Sequence, residues 1–252
     1  MSTKSRYTLL DELRGFAVVC MVIFHGIYLY SVLFGGEIPS MLFNFFNHAE
    51  PYFAAFFIFL SGLCSVLSRS NIKRGLKLAA VALVITAVTL AAGELGLDVA
   101  IYFGVLHLLA FSILLCGLAY KQFIKMPSVL GLIIALAVFF ITYSVENGSL
   151  WLFVTHYSLP DSWYSTDFLF WLGFPNRSFA SADYFPVLPW FFIFLAGFFT
   201  GSYFRKHGFP SLFKARIVPF FGTVGRNALL IYILHQPILY SLFILIMKIM
   251  KI

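Results

Sequence analysis

The chain has 252 residues, of which 61% are hydrophobic and 11% charged, and its formal net charge is +7. A soluble domain is about 45–50% apolar and about 25% charged, so this composition excludes an ordinary water-soluble globular domain. The basic residues lie in short loops between apolar runs, which assigns their excess to membrane orientation and leaves no role for nucleic acid.

Apolar runs of about 20 residues recur, the length a helix needs to cross the roughly 30 Å hydrocarbon core. They predict an all-α fold. It is a polytopic membrane helical bundle of about seven transmembrane helices, forming one integral-membrane domain over residues 1–252. The predicted spans are 9–34, 51–68, 76–95, 99–120, 126–145, 185–204 and 226–248.

The first span, within "LLDELRGFAVVCMVIFHGIYLY", starts with Asp11, Glu12 and Arg14, and no small-residue cleavage site follows, so it is expected to remain attached. At 100° per residue Asp11, Arg14, Val18 and His25 fall within about 60° of one another. The carboxylate and guanidinium are one turn apart and can pair; the imidazole lies about 16 Å further along. Ionisable side chains at a helix centre cost roughly 2.5–3.5 kcal/mol in lipid and normally face protein or a wet cavity. This stripe is therefore expected to point inward.

His48, in "FFNHAEPYF", stands just outside the second span, near that helix's N-terminus. The fourth span contains His107 in "IYFGVLHLLAF", about eight residues in from its outer end. His25 and His107 are therefore expected at similar depth, placed to converge. Between the fifth and sixth spans lies an outward-facing loop, 146–184, with Trp151, Trp163, Trp171, His156, Asp161, Asp167 and Asp183. Tryptophan with carboxylates suits a sugar-like ligand; an interfacial aromatic belt explains the same residues. A re-entrant segment within 149–174 is an alternative. The seventh span opens in "GRNALLIYILHQP", with Thr223 as expected N-cap and Gly225 and Arg226 in the first turn. His235 lies about nine residues in from its inner end, and Pro237 frees the Ile233 carbonyl.

Charge alternation gives the orientation. Lys4 and Arg6, then Arg69, Lys73, Arg74 and Lys77, then Lys121 and Lys125, then Arg205, Lys206, Lys214 and Arg216 mark one side. Glu37, Glu50, Glu94, Asp98 and the acidic 146–184 loop, with its single Arg177, mark the other. Lys/Arg clusters stay cytoplasmic, so the N-terminus is expected inside and the C-terminus outside; Lys248 and Lys251 run against that rule. Cys20, Cys64 and Cys116 fall in apolar runs with no metal spacing and read as packing residues. No metal is expected, and no P-loop, GxGxxG or internal repeat is present. Each intramembrane histidine is open to two readings. One is a helix–helix hydrogen bond worth about 1 kcal/mol. The other is a base or relay with a pKa near neutrality.

The segments "LLDELRGFAVVCMVIFHGIYLY", "PYFAAFFIFLSG", "YFGVLHLLAF" and "SADYFPVLPWFFIFLAGFFTG" resemble, in order, the core helices of the heparan-α-glucosaminide N-acetyltransferase-like family of transmembrane acyltransferases. "IYILHQP" is similar to the last helix of the wider group. The resemblance implies an enzyme that takes acetyl from cytoplasmic acetyl-CoA and delivers it across the membrane to an amino sugar or other cell-envelope glycan. Carried over residue by residue, His48 matches the family's catalytic histidine, and His25 falls where a supporting asparagine stands; the two can exchange roles. A histidine there acts as base or is itself acylated. His107 joins them as a third catalytic candidate. Asp11, Arg14, Arg74 and Arg226 are the expected cofactor contacts, because guanidinium suits phosphate; Trp190, Asp183 and His235 are the expected substrate contacts.

The better-known members have ten or eleven spans and, in the lysosomal enzyme, a large luminal domain; about seven spans here suggest that a homodimer completes the passage. The plasma membrane is the expected location. The alternative function is a small proton-coupled transporter using the histidines.

Overall fold

The computed structural model describes residues 7–97, 99–152 and 154–250. Lys4, Arg6, Asp98 and Lys251, used above for orientation, lie outside the described residues. Among the described residues the regular structure is helical apart from one small hairpin. The helices are α1 Thr8–Phe34, α2 Glu37–Ser65, α3 Asn71–Glu94, α4 Val105–Leu118, α5 Tyr120–Lys125, α6 Ser128–Thr142, α7 Val187–His207, α8 Pro219–Arg226 and α9 Ala228–Met250. Among the described residues five segments are long and apolar enough to cross a membrane: α1, α3, Ser128–Asn147, α7 and α9. The shorter α4 is equally apolar, and α2 adds an apolar C-terminal half after Pro51. This is a polytopic helical bundle.

Four sequence expectations change. Residues 37–50 were expected to be a connection but are the first half of α2, so His48 sits inside a continuous helix. The fourth span was expected from 99 but starts at Val105, so His107 is in its first turn rather than eight residues deep. Thr223 does not cap the last span. Pro219 fits the first turn of a separate short helix, α8, which contains Thr223 and Arg226, and the last helix restarts at Ala228. The 149–174 segment, where a re-entrant stretch was the alternative, is not one helix: its described residues hold antiparallel strands β1 Ser149–Leu152 and β2 Thr155–Ser158 and single 3₁₀ turns.

The chain divides into two compact units. The first joins residues 1–60 to 209–252, and the second is 61–208.

In the first unit α1 packs on α2, α8 and α9. Phe24 and Tyr28 of α1 meet Phe43 of α2, with centroids 6.3 and 5.6 Å apart, while Phe16 meets Phe53 at 6.4 Å, so α1 and α2 are antiparallel. His25 meets His235, and Tyr30 and Phe34 meet Phe243, so α1 and α9 run parallel. That is the relation the charge alternation predicts for the first and last spans.

The α1–α8 crossing brings two helix backbones together at glycines. A Cβ on Gly15 would overlap the Phe221 carbonyl, and one on Gly225 would overlap the Asp11 carbonyl. Small residues allow such backbone approach where no hydrophobic drive exists between helices in lipid. Phe16 and Phe221 close one side edge-to-face at 5.6 Å.

In the second unit α3 packs on α4, and α7 packs on α6 and α4. The core is phenylalanine-rich, with Phe194 and Phe198 fully buried. Gly62, at the end of α2, lets the chain approach the Phe194 carbonyl of α7 in the same way. Arg205 closes this end, donating to the Val66 carbonyl (3.3 Å) and to the Tyr120 hydroxyl (2.6 Å).

Candidate functional site

The "DELRG" run in α1 divides its charges between two tasks. Asp11 and Arg14, one turn apart, form the expected pair at 3.4 Å, both largely shielded. Glu12 points the other way and is 4% exposed. Its carboxylate accepts from the backbone N–H of Ile217 (3.2 and 3.0 Å) and Val218 (2.9 Å), immediately before α8. A carboxylate there meets orphan amides and the positive end of the helix. Glu12 therefore fastens the 209–218 connection to α1, with Thr8 adding bonds to the carbonyls of Lys214 and Ala215. The sequence reading gave Glu12 no role. Replacing Glu12 with Ala removes the shared acceptor of two part-buried backbone donors and is expected to lower stability by about 1–3 kcal/mol in all, read as a fall in the melting temperature of the purified protein.

Arg226 is exposed at the end of α8, and its guanidinium donates to the Thr223 hydroxyl at 2.9 Å. Gly222 and Gly225 on the same helix face Glu12 and the Asp11 carbonyl. Asp11, Arg14 and Arg226 thus belong to one helix pair at the inner end of the first unit. The signal for this was present in the sequence: Gly222 and Gly225 are three apart, on one helix face.

Further along α1, the half-buried His25 lies beside His235 of α9, ring centroids 4.9 Å apart and planes at 68°. His25 Nδ1 is 2.9 Å from the Met21 carbonyl, and His235 Nδ1 is 2.7 Å from the Tyr232 carbonyl. A carbonyl partner at Nδ1 makes that nitrogen the donor and leaves Nε2 as the acceptor. His48 follows the same rule, with Nδ1 2.6 Å from the Asn44 carbonyl, on an exposed side of α2. It lies midway between Phe43 and Phe53, the two residues that touch α1. Interpolating between those contacts places it level with Cys20 and Met21, offset from His25 by about 6–8 Å along the axis at 1.5 Å rise per residue. By that reckoning His48 lies within about two turns of the level at which His25 and His235 meet. Pro51 and Pro237 follow His48 and His235 by three and two residues, and each leaves a carbonyl of its helix without the usual partner.

His107 belongs to the second unit. Its Nδ1 accepts from the Gly104 backbone N–H (3.2 Å), and its Nε2 lies 3.0 Å from the Thr86 hydroxyl. Both ring nitrogens are engaged, one at the α4 N-terminus and one to α3. Asp183 serves the same helix end, its carboxylate accepting from Val105 N–H at 3.2 Å. The chain from 99 to 104 runs beside 181–185, joined by Ala182 N–H to the Ala100 carbonyl (2.9 Å) and Phe185 N–H to the Phe103 carbonyl (3.0 Å). Asp183→Ala is expected to cost about 1 kcal/mol through loss of this cap, measured as a shift in thermal midpoint. Trp190 is buried between Phe139 (6.1 Å) and Phe185 (5.1 Å), part of the aromatic core. Arg74 is half-buried near the start of α3.

In the outer loop Trp151 and His156 face each other across the hairpin, parallel within 5° at 6.1 Å, and both are exposed. Tyr164 donates to the Val145 carbonyl, and Tyr184 to the Phe170 carbonyl (2.6 Å). Burial raises both phenols above the ordinary tyrosine value, helped by the charge of Glu146, so they remain neutral donors that pin the loop. Among the described residues no group of three or more His, Cys, Asp or Glu side chains is arranged to hold a metal ion.

No curated protein and no solved structure matches the chain. A family model described as heparan-alpha-glucosaminide N-acetyltransferase, catalytic, matches residues 6–237, which takes in α1 through the Pro237 turn of α9. The chain thus belongs to the heparan-α-glucosaminide N-acetyltransferase catalytic family, as an integral-membrane member of that family of transferases.

Proposed function

We propose that the protein moves an acetyl group from acetyl-CoA on the cytoplasmic side to an amino sugar or other cell-envelope glycan on the outer side. The observation that carries the reading is the contact of His25 with His235 in the unit that also carries His48, Asp11, Arg14 and Arg226. Guanidinium groups at the inner end suit the phosphates of CoA, and imidazoles further along suit proton removal and acyl transfer. His48 is assigned the contact with the acyl group, as nucleophile or as orienting group. His25 is assigned the proton of the attacking amine or hydroxyl. His107 and Asp183 position the start of α4. Trp190 supports the fold of the second unit, and Arg74 remains a candidate for CoA from that unit. The proposed setting is the plasma membrane, with a second copy of the chain completing the passage.

The test is direct. The purified protein in nanodiscs, given acetyl-CoA labelled in the acetyl group and glucosamine, is expected to yield acetylated product and free CoA. A protein that neither binds nor cleaves acetyl-CoA, yet moves protons or a solute in liposomes, would overturn this reading in favour of transport.

A further inference from the structure

In the second unit the basic residues collect at one end. Within residues 61–208 every Lys and Arg except Arg177 falls in 69–77, 121–125 or 205–206, and those three stretches contain no Asp or Glu. The structure joins them. Arg205 donates to the Val66 carbonyl and to the Tyr120 hydroxyl, so the third stretch is tied to the starts of the first and second. A Cβ on Gly117 of α4 would sit 3.1 Å from the Ile72 side chain of α3. Arg69, Lys73, Lys77, Lys121, Lys125 and Lys206 are all exposed. Like charges gathered in this way repel one another, so the arrangement favours an anion from outside the chain.

The face of α3 that carries Lys73 and Lys77 indicates which anion. Gly75 and Ala82 are buried, and Gly75 meets Leu114, which fixes the side of α3 turned to α4. Lys73 and Lys77 stand about 160° round the helix from Gly75, on the far side. Val84 and Val88 share that far side and are 61% and 62% exposed, the first of them about 16 Å along the axis from Lys73. Exposed valines on a membrane helix meet acyl chains. A lysine at the end of such a stripe lays its carbon stem along the apolar surface and keeps its ammonium at headgroup level. A soluble phosphate would use the cations and leave the valines bare; a phospholipid uses both.

We infer that this rim binds anionic phospholipid of the cytoplasmic leaflet. Lys73 and Lys77, with Arg69 beside them, hold the phosphate-bearing head, and an acyl chain lies along Val84 and Val88. The short helix α5 extends the rim. Phe123 packs on Phe198 and Phe199 at 5.9 and 6.1 Å, and Tyr120 on Phe198 at 6.2 Å, while Lys121 and Lys125, four residues apart, share another face. Clusters of this kind just inside a membrane span are attracted to acidic lipid. None of these residues belongs to the proposed CoA contacts, so the lipid site stands or falls apart from acyl transfer.

Native mass spectrometry of the purified full chain tests this. Detergent-solubilised protein is offered equal amounts of phosphatidylglycerol and phosphatidylcholine with the same acyl chains. The wild type is expected to retain about tenfold more phosphatidylglycerol, and the preference should shrink as salt rises. The double variant Lys73→Gln with Lys77→Gln is expected to lose the preference to within about twofold of parity, whereas Lys73→Arg with Lys77→Arg keeps it. Both side chains are exposed, so thermal unfolding in detergent should match the wild type; if the Gln pair does not fold, Lys77→Gln alone takes its place. A wild type without preference, or a Gln variant with an undiminished one, overturns the inference. Two competitors identify the ligand. Glycerophosphoglycerol, which has the head but no chains, and acetyl-CoA are each expected to leave the lipid bound. Displacement by either would mark a site for soluble phosphates and overturn the lipid assignment.

Discussion

Replacing His48 with Ala is expected to lower acetyl transfer about 10²–10⁴-fold, the usual contribution of a positioned acid–base or nucleophilic imidazole. His48 Nδ1 is tied to the Asn44 carbonyl, so the ring presents Nε2 in a defined direction from a helix rather than from a mobile loop. The side chain is exposed and makes no packing contribution that its loss would forfeit. The variant should therefore fold, and thermal unfolding in detergent should match the wild type. Binding of acetyl-CoA, followed by calorimetry, should persist, because the proposed phosphate contacts lie near Arg14 and Arg226. Full activity in His48→Ala, with loss in His25→Ala, would exchange the two assignments. Full activity in both would remove the histidine mechanism.

Gly15→Ala and Gly225→Ala are each expected to destabilise the protein by about 3 kcal/mol or more, at the upper end of overpacking effects. In most crowded sites a side chain yields by changing rotamer. Here the atoms met are the carbonyl groups of Phe221 and Asp11, which belong to helices and cannot turn away. Relief requires α1 and α8 to separate, and separation also pulls the Glu12 carboxylate from Ile217 and Val218. The two effects are coupled, so the double variant Gly15→Ala with Glu12→Ala should cost less than the sum of the singles. Thermal denaturation of purified variants and the yield of monodisperse protein measure this. A Gly225→Ala protein that melts within about 1 °C of the wild type would show that the crossing is looser than the backbone contacts require.

Composition and apolar run length were sufficient for the membrane-bundle fold, because a chain so poor in charge has no other solvent in which to bury its helices. The Asp11–Arg14 pair was legible for a local reason: three residues on a helix are neighbours whatever the rest of the chain does. The segments that resemble the acetyltransferase family were legible as ordered motifs, and the matched range of 6–237 encompasses them.

Other features were settled only by contacts distant in sequence. Periodicity gave no sign that His235, more than two hundred residues away in the chain, meets His25. His107 was open to two readings from the sequence; the late start of α4 places it in that helix's first turn, with its nitrogens bonded to Gly104 and Thr86. The polar run at 44–50 looked like a loop because Asn, His and Glu interrupt the hydrophobic pattern, yet α2 continues through it, stacked on α1 through Phe43 and Phe53. Glu12 looked like one more charge at a membrane edge until Ile217 and Val218 supplied its donors.

The sequence by itself determined the solvent, the class of fold and the local charge pair, since each follows from composition or from neighbours within one turn. Which histidine meets His25, and which carboxylate holds the 209–218 connection to α1, was decided only by tertiary structure. Those outcomes depend on how closely helices far apart in the chain can approach, a distance set between α1 and α8 by two glycines and the carbonyl groups they face.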